Sequence, residues 1–107
     1  MRYACVIAAV GAVLATAAPA LTRDLTITQK DKAFSEREVK IAIGDSLTFV
    51  NADDFTHNVY SATKGLEFDL RTQPPGKSST VRFEKAGTLT VECAIHPKMK
   101  LSLRVGG

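Results

Sequence analysis

Residues 93–99 read Cys-Ala-Ile-His-Pro-Lys-Met and bring a thiol, an imidazole and a thioether into one short stretch. A second imidazole, His57, lies in the run Phe55-Thr56-His57-Asn58-Val59. Setting aside Met1 and Cys5 near the start, these four side chains are all the cysteine, histidine and methionine that the chain contains. Singly, each has an ordinary explanation: a buried Cys packs as a small hydrophobe, an inward Met fills a core, and a His near a loop is solvated. Together they form a donor set. Closed structural zinc sites take four Cys or His ligands, and only Cys93, His57 and His96 are on offer. A trigonal pair of histidines and a cysteine, with a weak axial thioether, is instead the set associated with copper electron-transfer sites. The thiolate gives a strong covalent bond, the imidazoles suit both copper oxidation states, and a distant sulfur favours Cu(I) without demanding a new geometry.

Such a set needs a scaffold that delivers it. Alternation of apolar and polar residues, the period of a half-buried strand, runs through 24–29, 38–44, 46–51, 57–61, 79–85, 88–93 and 99–105. Turn signals separate these runs at Gly44-Asp45, at Asn51 to Asp54, at Gln73-Pro74-Pro75-Gly76 and at Ala86-Gly87. Residues 62–71 fit either a short helical turn or a loop. Seven short strands suit one small sandwich. Strand phase then predicts where the donors point, because alternate residues share a face. Cys93 falls in phase with Leu89 and Val91, Met99 with Leu101, Leu103 and Val105, and His57 with Val59. All three segments converge on one end of the sandwich, while Lys98 and Lys100 take the outward phase.

The opening residues 1–20 have the form of a secretory signal: Arg2, an apolar stretch from Tyr3 to about Ala18, and a small-residue site at Ala18-Pro19-Ala20. This implies a mature domain over residues 21–107 that is periplasmic or secreted. An uncleaved anchor is the alternative. No later apolar run approaches the ~18 residues needed to cross a bilayer, so no stable membrane insertion is expected after cleavage. Cys93 is then the single thiol of an exported domain, which calls for an explanation other than an internal disulfide. The formal charge of +3, about +2 without Arg2, carries no concentrated basic stripe and argues against nucleic acid as a partner.

The pair Phe55-Thr56-His57-Asn58-Val59 and Cys93 to Met99, with the lead-in Gly44-Asp45-Ser46-Leu47-Thr48-Phe49-Val50-Asn51, resembles the cupredoxins, the type 1 blue copper proteins. Plastocyanin and amicyanin are among the proteins it is similar to, and the two-residue gap between His96 and Met99 is similar to that of amicyanin. Phe68-Asp69-Leu70 and Ile95 to Met99 also resemble the small cupredoxins labelled methylamine-utilisation proteins. The resemblance implies an all-β, Greek-key β-sandwich holding one copper ion that cycles between Cu(I) and Cu(II). It implies His57, Cys93 and His96 as equatorial ligands, Met99 as the axial one, and Asn58 as the residue tying the two ligand loops together near the thiolate. Two positions depart from the pattern. Thr56 stands where relatives often carry Pro, implying a looser first ligand loop, and Ala94 replaces a frequent hydroxyl or amide residue, removing one partner for Asn58.

The expected role is a soluble, monomeric one-electron carrier between redox proteins, not an enzyme. A core-facing thiol at a strand end is poorly placed for a substrate, and no Gly-rich oxyanion loop is apparent. A periplasmic copper carrier or chaperone using the same site is the alternative, although the chain lacks the Met-rich or His-rich tracts expected of a surface that hands copper over. Lys98 and Lys100 beside His96 suggest that a partner docks there through an acidic patch.

Overall fold

A computed structural model describes residues 21–106, so the signal-like segment 1–20 lies outside the described residues. Among the described residues nine strands follow one another: β1 (Asp24–Lys30), β2 (Ala33–Phe34), β3 (Glu38–Ala42), β4 (Ser46–Asn51), β5 (His57–Ser61), β6 (Phe68–Gln73), β7 (Ser78–Arg82), β8 (Gly87–Cys93) and β9 (Lys100–Gly106). They form two sheets, ordered β2-β1-β4-β7 and β3-β9-β8-β5-β6. β1 runs parallel to β4, and β3 parallel to β9; the other pairs are antiparallel. No described helix is long and apolar enough to cross a membrane.

Period-2 alternation decides which side chains meet between the sheets. In β8, Leu89, Val91 and Cys93 are buried while Thr88 and Thr90 are exposed. In β9, Leu101, Leu103 and Val105 are buried against them, opposite exposed Lys100, Ser102 and Arg104. From the facing sheet come Ile27, Leu47 and Phe49. Phe49 is fully buried and packs between the rings of Phe34 and Phe68, with centroids 6.2 and 6.3 Å away. Truncating a phenylalanine so placed costs about 3–5 kcal/mol.

Polar staples hold the ends. The Asp45 carboxylate accepts the amides of Arg23 at 2.8 Å and Ala42 at 2.9 Å. These bonds hold its carboxyl below the usual 3.8 and fasten the start of β1 to the β3–β4 turn.

The sandwich is as expected, but it has nine strands rather than seven. The ambiguous segment 62–71 is neither helix nor simple loop: a turn at Lys64-Gly65 leads into β6. Its alternation is masked because Arg71 takes a left-handed conformation (φ 60°) and the β5–β6 register shifts between Asn58 and Tyr60, the mark of a bulge. β2 is only two residues long, too short to show a period. It is reached through a turn in which Asp31 and Lys32 are both left-handed, with φ of 55° and 59°. Neither is glycine, so this conformation costs on the order of 1–2 kcal/mol per residue and needs an external hold.

Candidate metal centre

Register places the first two donors. β5 pairs with β8 so that Val59 lies opposite Cys93 and Tyr60 opposite Glu92, which sets His57 and Cys93 on the inner face at the same end of one sheet. His57 is fully buried and Cys93 is 2% exposed. The third donor arrives by a turn. The Met99 amide donates to the His96 carbonyl at 2.9 Å, closing a tight turn with Pro97 second, where its fixed φ favours the bend. This folds His96 back over Cys93.

The donor atoms converge. Cys93 Sγ lies 3.6 Å from His57 Nδ1 and 3.8 Å from His96 Nδ1, and the two Nδ1 atoms are 3.2 Å apart. A point equidistant from the three is about 2 Å from each, the length of a metal–imidazole bond and close to the ~2.3 Å of a zinc–thiolate bond. Three donors facing one another across that spacing fit a single ion better than they fit each other. Met99 is 1% exposed in the core and directly precedes β9 instead of opening it, a one-residue difference from the expected strand.

Asn58 ties the loops together through its backbone. Its amide lies 3.3 Å from Cys93 Sγ as donor, and its carbonyl accepts the Ala94 amide at 3.0 Å. Ala94 therefore keeps its half of the tie without a side-chain hydroxyl. Nor does Thr56 leave the first loop unsupported. Buried Asn51 donates to the carbonyls of Phe55 and Gln73, both at 2.8 Å, and accepts the Asp53 amide at 2.8 Å. The Phe55 ring packs on both imidazoles, with centroids 5.3 Å from His57 and from His96.

Two contributors were not anticipated from the residues. Asp53 is buried, and its Oδ2 lies 2.6 Å from His57 Nε2. Burial pushes the Asp53 carboxyl up, but hydrogen bonds from His57 and from the amides of Asp31 and Lys32 outweigh it, leaving the carboxyl below its ordinary value. Lys32 sits with its ammonium 5.8 Å from the Phe55 ring centre and lines a shallow recess with Asp31, Ile95, His96, Pro97 and Lys98. Burial first, with the Lys32 ammonium adding to it, lowers the His96 imidazole from the usual 6.5, which favours the neutral form that can bind a metal.

A nine-stranded sandwich with two imidazoles and one thiol gathered at one end is the architecture of a single-copper protein. The chain belongs to the plastocyanin/azurin family of copper binding proteins, whose model matches residues 21–106. It is 30% identical over 90 residues to the methylamine utilization protein MauL of Methylorubrum extorquens, covering 83% of this chain and 79% of that one. Among solved structures, a Cu(I) amicyanin variant superposes with a TM-score of 0.70 at 20% identity, over 76% of this chain and 80% of the other. A Cu-containing nitrite reductase from Thermus scotoductus gives 0.72 at 26% identity, over 91% of this chain but only 25% of the enzyme.

Proposed function

We propose that this chain is an exported one-electron carrier in which His57, Cys93 and His96 hold one copper ion, with Met99 as a weak axial donor and Asn58 supporting the thiolate. The observation that carries this reading is the convergence of Sγ and the two Nδ1 atoms around a point about 2 Å from each. Copper held there supplies one-electron exchange between Cu(I) and Cu(II). The chain does the rest. The hydrogen-bonded loops fix the donors before any ion arrives, so little has to move when charge changes, and Phe55 and the buried setting of His57 keep water away from that side. Residues 1–20 act as the export signal in this reading, and residues 21–107 as the periplasmic or secreted domain.

Electron transfer is the role we favour because Phe55, Ile95 and Pro97 give His96 an apolar surround suited to contact with a redox protein. The likeness to nitrite reductase concerns a quarter of that enzyme. A copper carrier or chaperone remains the rival role. Addition of Cu(II) is expected to produce an intense visible band at one equivalent, which ascorbate bleaches and a mild oxidant restores over repeated cycles. A band that vanishes irreversibly as copper is lost to a competing chelator on reduction would favour the rival.

Partners are expected to meet the protein around His96. Ile95 is 51% and Phe55 38% exposed, an apolar centre flanked by exposed Lys32 and Lys98. Charges so placed raise the encounter rate with an acidic surface, and salt screens them over about 8 Å at physiological ionic strength. Oxidation of the reduced protein by anionic hexacyanoferrate(III), followed by stopped flow, should slow as salt rises. It should slow several-fold at low salt in Lys32→Glu or Lys98→Glu. A rate indifferent to salt and to both substitutions would rule out steering.

A further inference from the structure

His57 uses its two ring nitrogens in opposite directions. Nδ1 faces Cys93 Sγ and His96 Nδ1, whereas Nε2 meets Asp53 Oδ2 at 2.6 Å. A carboxylate can only accept there, so the proton belongs on Nε2 and the lone pair on Nδ1. The same carboxylate is shared with a distant segment. Asp53 Oδ1 accepts the Asp31 amide at 2.6 Å and Oδ2 the Lys32 amide at 3.3 Å, the two left-handed residues that link β1 to β2. Their consecutive positive φ values turn successive amides toward one anion. The Asp53 amide is itself anchored on Asn51 Oδ1 at 2.8 Å.

We propose that Asp53 is a positioning residue that clamps His57 as its Nε2–H tautomer and, as a fixed buried negative charge beside that ring, lowers the reduction potential of the site. The second half rests on the copper reading above. The hydrogen bond orients the ring and makes Nδ1 a better donor. The negative charge, in a setting of low dielectric, favours the more highly charged Cu(II). The β1–β2 turn thereby becomes part of the centre: its amides keep the carboxylate in place, so loosening the turn loosens the ligand.

Asp53→Asn tests this because asparagine offers one oxygen to three donors and no charge. In the copper-loaded variant the potential should rise by about 60 mV or more, a tenfold shift toward Cu(I), with the visible band retained. Asp53→Glu, which keeps the charge, should lie nearer wild type. Asp54→Asn removes the same charge from an exposed neighbour and should leave the potential in place. An unchanged potential in Asp53→Asn, or an equal rise in Asp54→Asn, overturns the electrostatic role. Long-range nitrogen–proton NMR of the metal-free wild type should place the His57 proton on Nε2, and Asp53→Asn should blur that preference. A wild-type proton on Nδ1 overturns the clamp even if the variant does not fold. A wild type that stays colourless with copper refutes the copper reading, while the proton position still decides the clamp.

Discussion

Cys93→Ser protein is expected to fold and yet lose essentially all of the intense visible absorption that copper gives the wild type. That absorption requires charge transfer from a soft thiolate, and a serine oxygen is too hard a donor to provide it. Cys93 sits 2% exposed at the end of β8, and its sulfur receives the Asn58 amide at 3.3 Å. The smaller hydroxyl would be left buried with at best a poorer partner, at a stability cost of about 1–3 kcal/mol. Circular dichroism and a copper titration on the same samples separate the two effects. An undiminished band in the folded variant would sink the assignment of the site, whatever else the fold suggests.

Met99→Gln is expected to keep both copper and colour but to lower the reduction potential by about 60 mV or more, a tenfold change in the balance between the two oxidation states. The cause is the exchange of a soft thioether for an amide oxygen, which stabilises Cu(II) relative to Cu(I). Met99 is buried, and the turn from His96 holds its backbone at the head of β9. Met99→Leu serves as the opposing control: it keeps the bulk, removes the donor and should raise the potential. Equal potentials in all three proteins would return Met99 to the role of core filler.

Much of this arrangement is legible in the chain because a β-sandwich stores its plan in period-2 alternation. Leu89, Val91 and Cys93 share a face by counting alone, and so do Leu101, Leu103 and Val105, all buried as the phase requires. What escaped has a common cause: its signal lies outside any period. β6 hides behind the Arg71 bulge and β2 is too short to alternate. Asp53 reads as one acid in a polar turn, since its meaning depends on Asp31 and Lys32, 22 and 21 positions away. Lys32 likewise joins the rim of His96 only because two residues without glycine's freedom adopt left-handed backbone conformations. The spacing Cys-x-x-His-x-x-Met announces a centre, but nothing local announces the carboxylate that steadies its buried histidine.

The alignment of β5 with β8, Val59 against Cys93, also makes the colour of the protein a gauge of strand alignment. A slip by one residue would exchange the inner and outer faces of β5, carrying His57 outward and Asn58 inward, and three donors could no longer meet. A refolding chain that pairs these strands out of step could still bury apolar surface and still give the circular dichroism of a sheet, but it would stay pale in copper. Comparing the return of visible absorbance with that of sheet signal during refolding in the presence of copper would therefore time the moment at which the two strands find their proper alignment.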